Sequence, residues 1–560
     1  MKRPAGALQG HGVTLVSLVA GILLLVGCTA TSAPGPTGAP GEEGKPKYGG
    51  TLTMPENAST PSNDIDVHRG TASSSPIVVG NTHLPLIGED VKERGGKIVG
   101  YLATSWEASK DGAAYTFKVR ELTTHKGKPF NSEDIVYNIE RFLKRPNKLA
   151  LGRSGCWREL VESAQAPDKT TVVVKLKQPS LGFLACVANP HSLFQPKYTL
   201  EFIDGPEAKG RPMRVEEVDG VGPFRLTNWI DGSIVEMERS DNYYLEGLPY
   251  LEKRVSVELP DEAAIIAAFR TQRLDIFRRF ADTPKKSEWE GLTREFGEQI
   301  LGALVEAPTA TGFQLHYKRK PLDDIRLREA IDLAWNRQNN RDAFELSNKI
   351  SGPYYCGWGW VFNCQELESW PGHRADKTED LKRAKELMRQ AGYDPDKRGS
   401  LTLIAGCGTG SPSSCDILQG DLEKIGIDLK IARLEANVLR KQTEDQAFDI
   451  STWTRYLTAL DPEDYHGLHY APTAVENRAL WENSRFNQLL VAQRAEFDRD
   501  KRAKLVREMG QVMYNDHVLL HGYGVVLNQA WWSYVKGYVP PGDKLPHQTT
   551  YIDHYIWLDK

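Results

Sequence analysis

One uncharged run constrains this chain more than any other feature. Val13 to Val26 is the only stretch long enough to consider for a membrane, and it has 14 residues at the extreme N-terminus. A spanning helix needs about 20. A channel or permease with several spans is therefore excluded, and the bulk of the 560 residues must fold in water. Lys2 and Arg3 precede the run as a short positive segment, which is the order of an export leader.

The run ends Leu25-Val26-Gly27-Cys28, which resembles a bacterial lipobox. There the chain is cut before the cysteine, whose thiol carries a diacylglycerol thioether. An ordinary leader with an incidental cysteine is the alternative. Residues 1–27 are expected to be a lipoprotein signal peptide. Residues 28–47 are expected to be the lipidated Cys28 and an extended tether, rich in Pro, Gly and Ala without apolar periodicity. The expected location is extracytoplasmic, lipid-anchored to a bacterial membrane.

Composition adds two limits. Seventy Lys and Arg against 74 Asp and Glu give a net charge of −4, the wrong sign for a nucleic-acid binder. The length suffices for three to four units of ~150 residues, so more than one core is expected. Beyond Cys28 six cysteines remain: Cys156, Cys186, Cys356, Cys364, Cys407 and Cys415. An even number in an exported chain fits disulfides, and their order invites nearest-neighbour pairing, with other connectivities open. A metal site is the alternative, but no two stand at C-x-x-C spacing.

The rest alternates strand and helix patterns. Thr51 to Met54 reads as a strand after a glycine pair. Leu102 to Glu107 and Ala114 to Arg120 read as a hairpin around Lys110-Asp111-Gly112. After Pro129, Asn131 or Ser132 caps a helix with Ile135, Ile139, Phe142 and Leu143 on its stripe. Val221 to Leu226, Ser233 to Arg239 and Val255 to Leu259 read as strands, followed by a helix burying Ala264, Ile265, Ala268 and Phe269. Phe313 to Tyr317 reads as a strand, and Asp323 or Asp324 caps a helix burying Ile325, Leu327, Ile331 and Ala334. Leu381, Ala384, Leu387, Met388 and Ala391 share a helix face that Gly392 ends.

Eight blocks in order carry a resemblance: GGTL, LATSWEASKDG with YTFKVR, KPFNSEDIVYNIERF, GVGPFRL, YLE with VELPDEAA, PLDDIRLREAI, RAKELMRQAGY and EFDRDKR. Together they resemble the peptide/nickel class of extracytoplasmic solute-binding proteins that serve ATP-binding-cassette importers. The resemblance runs from about Tyr48 to the C-terminus. It implies an α/β fold with mixed sheets, a two-lobed clamshell of the type II periplasmic-binding-protein kind, large peptide-binding class. Lobe I would comprise 48–307 plus 525–560, with an inserted subdomain, and lobe II 308–524. A peptide or other small-molecule ligand is expected between the lobes, with permease subunits and the membrane as partners; a sensory lipoprotein of the same fold, or binding of a nickel chelate, is the alternative. A monomer without cofactor, metal or nucleic acid is expected.

In peptide-binding members a carboxylate a few residues after a pocket tryptophan holds the ligand's α-amino group, because a buried ammonium needs an anionic partner. Here that region reads Trp453-Thr454-Arg455-Tyr456, and the next acid is Asp461. The departure puts free-amino recognition in doubt. Arg455 suits a ligand carboxylate or phosphate, or pairs with a structural acid. Tyr354, Tyr355, Trp358 and Trp360, bracketed by Cys356 and Cys364, offer stacking surfaces or a stapled loop with its own small core. Candidate ligand residues are Trp453, Arg455, Tyr456, Asp461, Trp358, Trp360 and Tyr354. His466 and His469 lie near Asp461, Glu463 and Asp464; two imidazoles make an incomplete metal site, and a polar lobe surface is the expectation. Gly406-x-Gly408-x-Gly410 lacks the G-K-[ST] of a phosphate loop and reads as a tight β–α turn. No G-x-S-x-G elbow occurs, and the chain is not expected to be an enzyme.

Overall fold

The computed structural model describes residues 44–540 and 552–560, apart from 58–65, 69–74, 93–96, 145–154, 209–212, 231, 260, 278–285, 308, 346–348, 357–359, 410–412, 457–460, 473, 475 and 518. The leader run, Cys28 and Trp358 lie outside the described residues. Among the described residues no helix is long and apolar enough to cross a membrane.

The strand after the glycine pair, Thr51–Asn57, pairs in parallel with Lys253–Leu259, which pairs antiparallel with Ile234–Arg239 and that in turn with Phe224–Ile230. Leu52, Met54, Phe224 and Met237 of this sheet pack on Ile265 and Phe269 of the helix Glu262–Arg270. Asp261 caps that helix by accepting from Ala264 N at 2.8 Å. The C-terminal segment joins the same core through Ile556 and Leu558. Arg254 fastens it: its guanidinium meets Asp553 at 2.9 Å with both side chains buried. A buried pair of this kind is costly to break from one side, since the orphaned charge has no water.

The expected hairpin forms from Ala103–Ala108 and Ala114–Val119, and extends antiparallel to Thr171–Leu176 and Val161–Asp168. The helix Ser132–Lys144 lies on it, with Ile135, Ile139 and Phe142 buried and Asn131 Oδ1 accepting from Glu133 N at 2.9 Å. Below it the helices Gly155–Leu160 and Phe183–Val187 are joined by the Cys156–Cys186 disulfide. The other bridges are Cys356–Cys364 and Cys407–Cys415, so all three pairs are nearest neighbours in the chain.

A second group of elements surrounds a five-stranded mixed sheet. Its order is Ile427–Leu434, Leu401–Gly408, Ile450–Tyr456, Thr309–Leu315 and Leu519–His521. The first three run parallel, Thr309–Leu315 runs antiparallel to them, and Leu519–His521 runs antiparallel to Thr309–Leu315. Two crossings tie this sheet to a three-stranded one made of Ile276–Phe277, Ile300–Ala307 and Val525–Trp532. The chain passes from Ala307 to Thr309, and back from His521 to Val525.

Three local expectations are corrected. Gly406 and Gly408 are strand residues paired with Ala432 and Leu434, not a β–α turn. A Cβ at Gly406 would meet Gln442 Oε1 at 2.5 Å, so the glycine there makes room for a neighbouring side chain. Ile325 is 45 % exposed: Asp324 caps the helix Ile325–Ala334, and the stripe begins only at Leu327. The strand expected from Val221 starts at Phe224.

Candidate ligand-binding site

Strand register decides which side chains meet. Trp453 stands opposite Gly312, which stands opposite His521; Ser451 stands opposite Gln314, which stands opposite Leu519. Paired residues share a face, so Gln314, Trp453, His521 and Leu519 all lie on one side of the sheet. Phe313, Leu315, Ile450 and Leu520 occupy the other side, in an aliphatic core. Gly312 has φ +151, and a Cβ there would run into the carbonyl of Leu520, so only glycine allows the strands to meet at this point.

On the Trp453 side a small, partly open pocket lies between the sheet and an aromatic layer. Gln314, Trp453 and Leu519 form its floor. His469, Tyr470, Trp481 and Met513 form a wall, and Glu476, Asn477, Arg478 and Ala479 complete it. The wall is rigid by its own packing. Trp481 meets Tyr470 and Phe486 edge to face at 6.0 and 4.8 Å, and its Nε1 donates to Asp516 Oδ2 at 2.8 Å. Arg478 donates to Glu476 at 3.1 Å and to Thr443 Oγ1 at 3.1 Å. Its Nε is buried with no hydrogen-bond partner among the described residues. Aromatic faces with few polar groups at fixed places suit an organic solute that is flat or chain-like and carries a polar end.

Trp453 thus lines the pocket, with its ring edge-on to His521 at 5.7 Å. Burial pushes the His521 imidazole down to about 3, so the ring is neutral behind the tryptophan. Arg455 and Tyr456 close the same strand, with backbones opposite Ala310 and Thr309; their side chains lie outside the described residues. Asp461 is committed elsewhere: it caps the helix Pro462–His469 and receives both Nη1 and Nη2 of Arg502 at 2.6 Å. Tyr354 is buried, donating to or accepting from His466 Nε2 at 2.5 Å and stacking near Phe362. Trp360 is half-buried between the guanidinium groups of Arg499 and Arg502, 5.6 and 5.4 Å from its ring. His466 and His469 are buried, which corrects the expectation of a polar surface. Tyr354, Tyr465, Tyr470 and Phe486 surround them, and burial with Arg502 and Arg494 nearby pushes His466 well below its ordinary value.

Sequence reasoning missed most of the wall. Gln314, Glu476, Arg478, Trp481, Met513 and Leu519 come from separate segments with no shared motif. Trp481, a lone tryptophan in a polar loop just before the Asn483 cap, was the one visible hint.

Known proteins are similar to this chain in sequence and in fold. A di/tripeptide-binding protein of Pseudomonas aeruginosa is 26% identical over 447 residues, covering 74% of this chain and 79% of that one. The structure of a periplasmic binding protein from Helicobacter pylori, solved with the peptide STSA, superposes with a TM-score of 0.78 at 22% identity, covering 92% and 99% of the two chains. The binding protein AgaA from Agrobacterium tumefaciens, solved with agropinic acid, gives 0.77 at 22% identity, covering 91% and 99%. The fold is thus the two-lobed clamshell of periplasmic binding proteins. Residues 97–477 match the middle region of one family across most of the chain, and the protein belongs to the bacterial extracellular solute-binding proteins, family 5.

Proposed function

We propose that this protein captures a short peptide or peptide-like solute outside the cytoplasm and hands it to the permease of an ATP-binding-cassette importer. The pocket lined by Trp453, Tyr470 and Trp481 carries this reading: aromatic faces stand beside polar side chains held by fixed partners, Glu476 and Arg478 among them. The names of the relatives support the solute class. Lobe I would be 48–307 with 525–560, and lobe II 308–524. The two crossings at 307–309 and 521–525, where strands leave one sheet for another, support that division. Closing around the ligand would exclude water and strengthen each polar contact.

A second reading is favoured by one observation. The position three residues after Trp453 is Tyr456, and the nearest following acid, Asp461, is engaged by Arg502. No carboxylate in the described part of that segment is left to hold an ammonium, and the pocket's own acid, Glu476, is paired with the Arg478 guanidinium at 3.1 Å. A solute recognised by a carboxylate fits this, either a peptide held by its acid end or an organic acid.

Thermal shifts with dipeptides, tripeptides, their N-acetylated forms, agropinic acid, sugars and chelated nickel test both. A ligand at a hundredfold excess over Kd stabilises by about 2.7 kcal/mol. A shift with peptides supports the first reading, and an equal shift with the N-acetylated forms supports acid-end recognition. Failure of every class to shift the transition overturns the transport reading.

The leader and Cys28 support a lipid anchor. Intact-mass analysis of the mature protein from a bacterial membrane is expected to give a chain beginning at Cys28 with a diacylglycerol added. A chain that keeps residues 1–27 overturns the anchor.

A further inference from the structure

We propose that Gly182 and the first turn of the 462–469 helix form a closure seam, a contact between the two bodies that a single methyl group would hold open. The proposal rests on the division into two closing bodies given above. Gly182 precedes the helix Phe183–Val187, whose Cys186 is bonded to Cys156 in the core of the antiparallel hairpin sheet. The 462–469 helix belongs to the other body through Tyr465 and Tyr470, which pack with Trp481 and Phe486.

Gly182 has φ −71 and ψ −7, a right-handed helical conformation open to any residue. Its backbone does not require glycine. Space does: a Cβ at 182 would press into Glu463 Cβ, with Glu463 Cγ at 3.0 Å and Asp461 Oδ1 at 2.9 Å. Those atoms are backed by a fixed network, so they cannot swing aside. Asp461 is clamped by Arg502, and Glu463 is fully buried, accepting from Gln493 at 2.5 Å and from Arg494 at 2.6 Å. Charge crosses at the same place. Arg494 Nη1 lies 3.9 Å from Glu159 on the helix Gly155–Leu160, so one guanidinium faces a carboxylate from each body. A second contact repeats the pattern: the hairpin turn at Gly112 abuts Phe497, and a Cβ at 112 would sit 2.7 Å from the ring. Phe497 is otherwise 52 % exposed, a large apolar side chain resting on that turn.

The test uses the purified protein without added ligand. Small-angle scattering and hydrogen exchange compare Gly182→Ala with the unmodified protein. A larger radius of gyration in the variant is expected and supports the seam. Equal radii, with exchange of amides 463–469 faster by tenfold or more and the 171–176 strand unchanged, overturn two-body closing while the contact itself stands. Equal radii and equal exchange overturn the seam and the role assigned to Gly182.

Discussion

One face of the five-stranded sheet packs Phe313, Leu315, Leu403, Leu429 and Ile450 against Leu327, Ile331, Leu387 and Leu418; the other sets Gln314, Trp453 and Leu519 against Tyr470, Trp481 and Met513. The aliphatic face asks only for volume and apolarity. The opposite layer is built from aromatic rings and buried imidazoles whose shapes interlock less completely and leave a small pocket. One sheet therefore serves as a packing platform on one side and a receiving surface on the other. Stability should follow the first side and ligand affinity the second.

Acid is the largest lever on this comparison. Burial holds His521 at about 3 and His466 well below its usual value, both in or behind the aromatic layer. His83 at about 4 and His554 at about 3 are held down in the same way in the other body. In each case the folded pKa lies below the unfolded value near 6.5, so the folded state favours the neutral ring. The stability this contributes is fully present above about pH 6.5 and is lost as pH falls toward the folded pKa. The loss is about 1.4 kcal/mol per histidine per pH unit. Four such groups together reach the range of ordinary domain stability by about pH 4. Urea midpoints at pH 7, 6 and 5 are expected to fall steadily, and hydrogen exchange in mild acid should loosen 462–481 before the aliphatic strands. A midpoint constant from pH 7 to 5 would overturn the assignment of neutral buried rings.

Truncating the aliphatic face should come next. Leu403→Ala removes a fully packed side chain and is expected to cost about 2–5 kcal/mol in chemical unfolding. The Kd of the same variant for a peptide that binds the unmodified protein should stay within twofold. A tenfold weaker Kd would show that the two faces are coupled.

The aliphatic face is also the one that can be read from the chain. Leu381, Ala384, Leu387 and Met388 repeat with helical period, and Gly392, at φ +89, ends their helix as expected. The hairpin around Gly112, the Asp324 cap and the three nearest-neighbour disulfides were equally legible, because turn chemistry and caps act within a few residues. The aromatic face was not. Its pocket draws on strands at 314, 453 and 519 and on loops at 469–481, and a register of pairing across more than 100 residues decides which side chains share a face. His466 and His469 misled for the same reason: what buries them is Tyr354 and Phe486, far away in sequence.

Two disulfides sharpen the contrast at equal chain entropy. Cys356–Cys364 and Cys407–Cys415 both span 8 residues, so the loop-closure contribution is the same, about 2.5 kcal/mol. Cys407 and Cys415 are fully buried in the aliphatic core, while Cys356 and Cys364 edge the aromatic layer. Replacing each pair by alanine should destabilise both, the 407–415 pair by about 1 kcal/mol more, since it also vacates close-packed space. Equal losses would mean that the two environments pack alike.

The smallest effect on stability falls where the effect on function should be clearest. Trp453→Phe keeps an aromatic floor but shortens it beside His521, and is expected to lower stability by about 1–2 kcal/mol. The ring it loses faces a pocket already open, so little close packing is given up. A ligand stacked on that floor loses contact over the missing ring, and about tenfold in Kd, or about 1.4 kcal/mol, is expected by titration calorimetry. If instead affinity holds while stability drops by several kcal/mol, Trp453 is a packing residue and the receiving surface lies elsewhere on the protein.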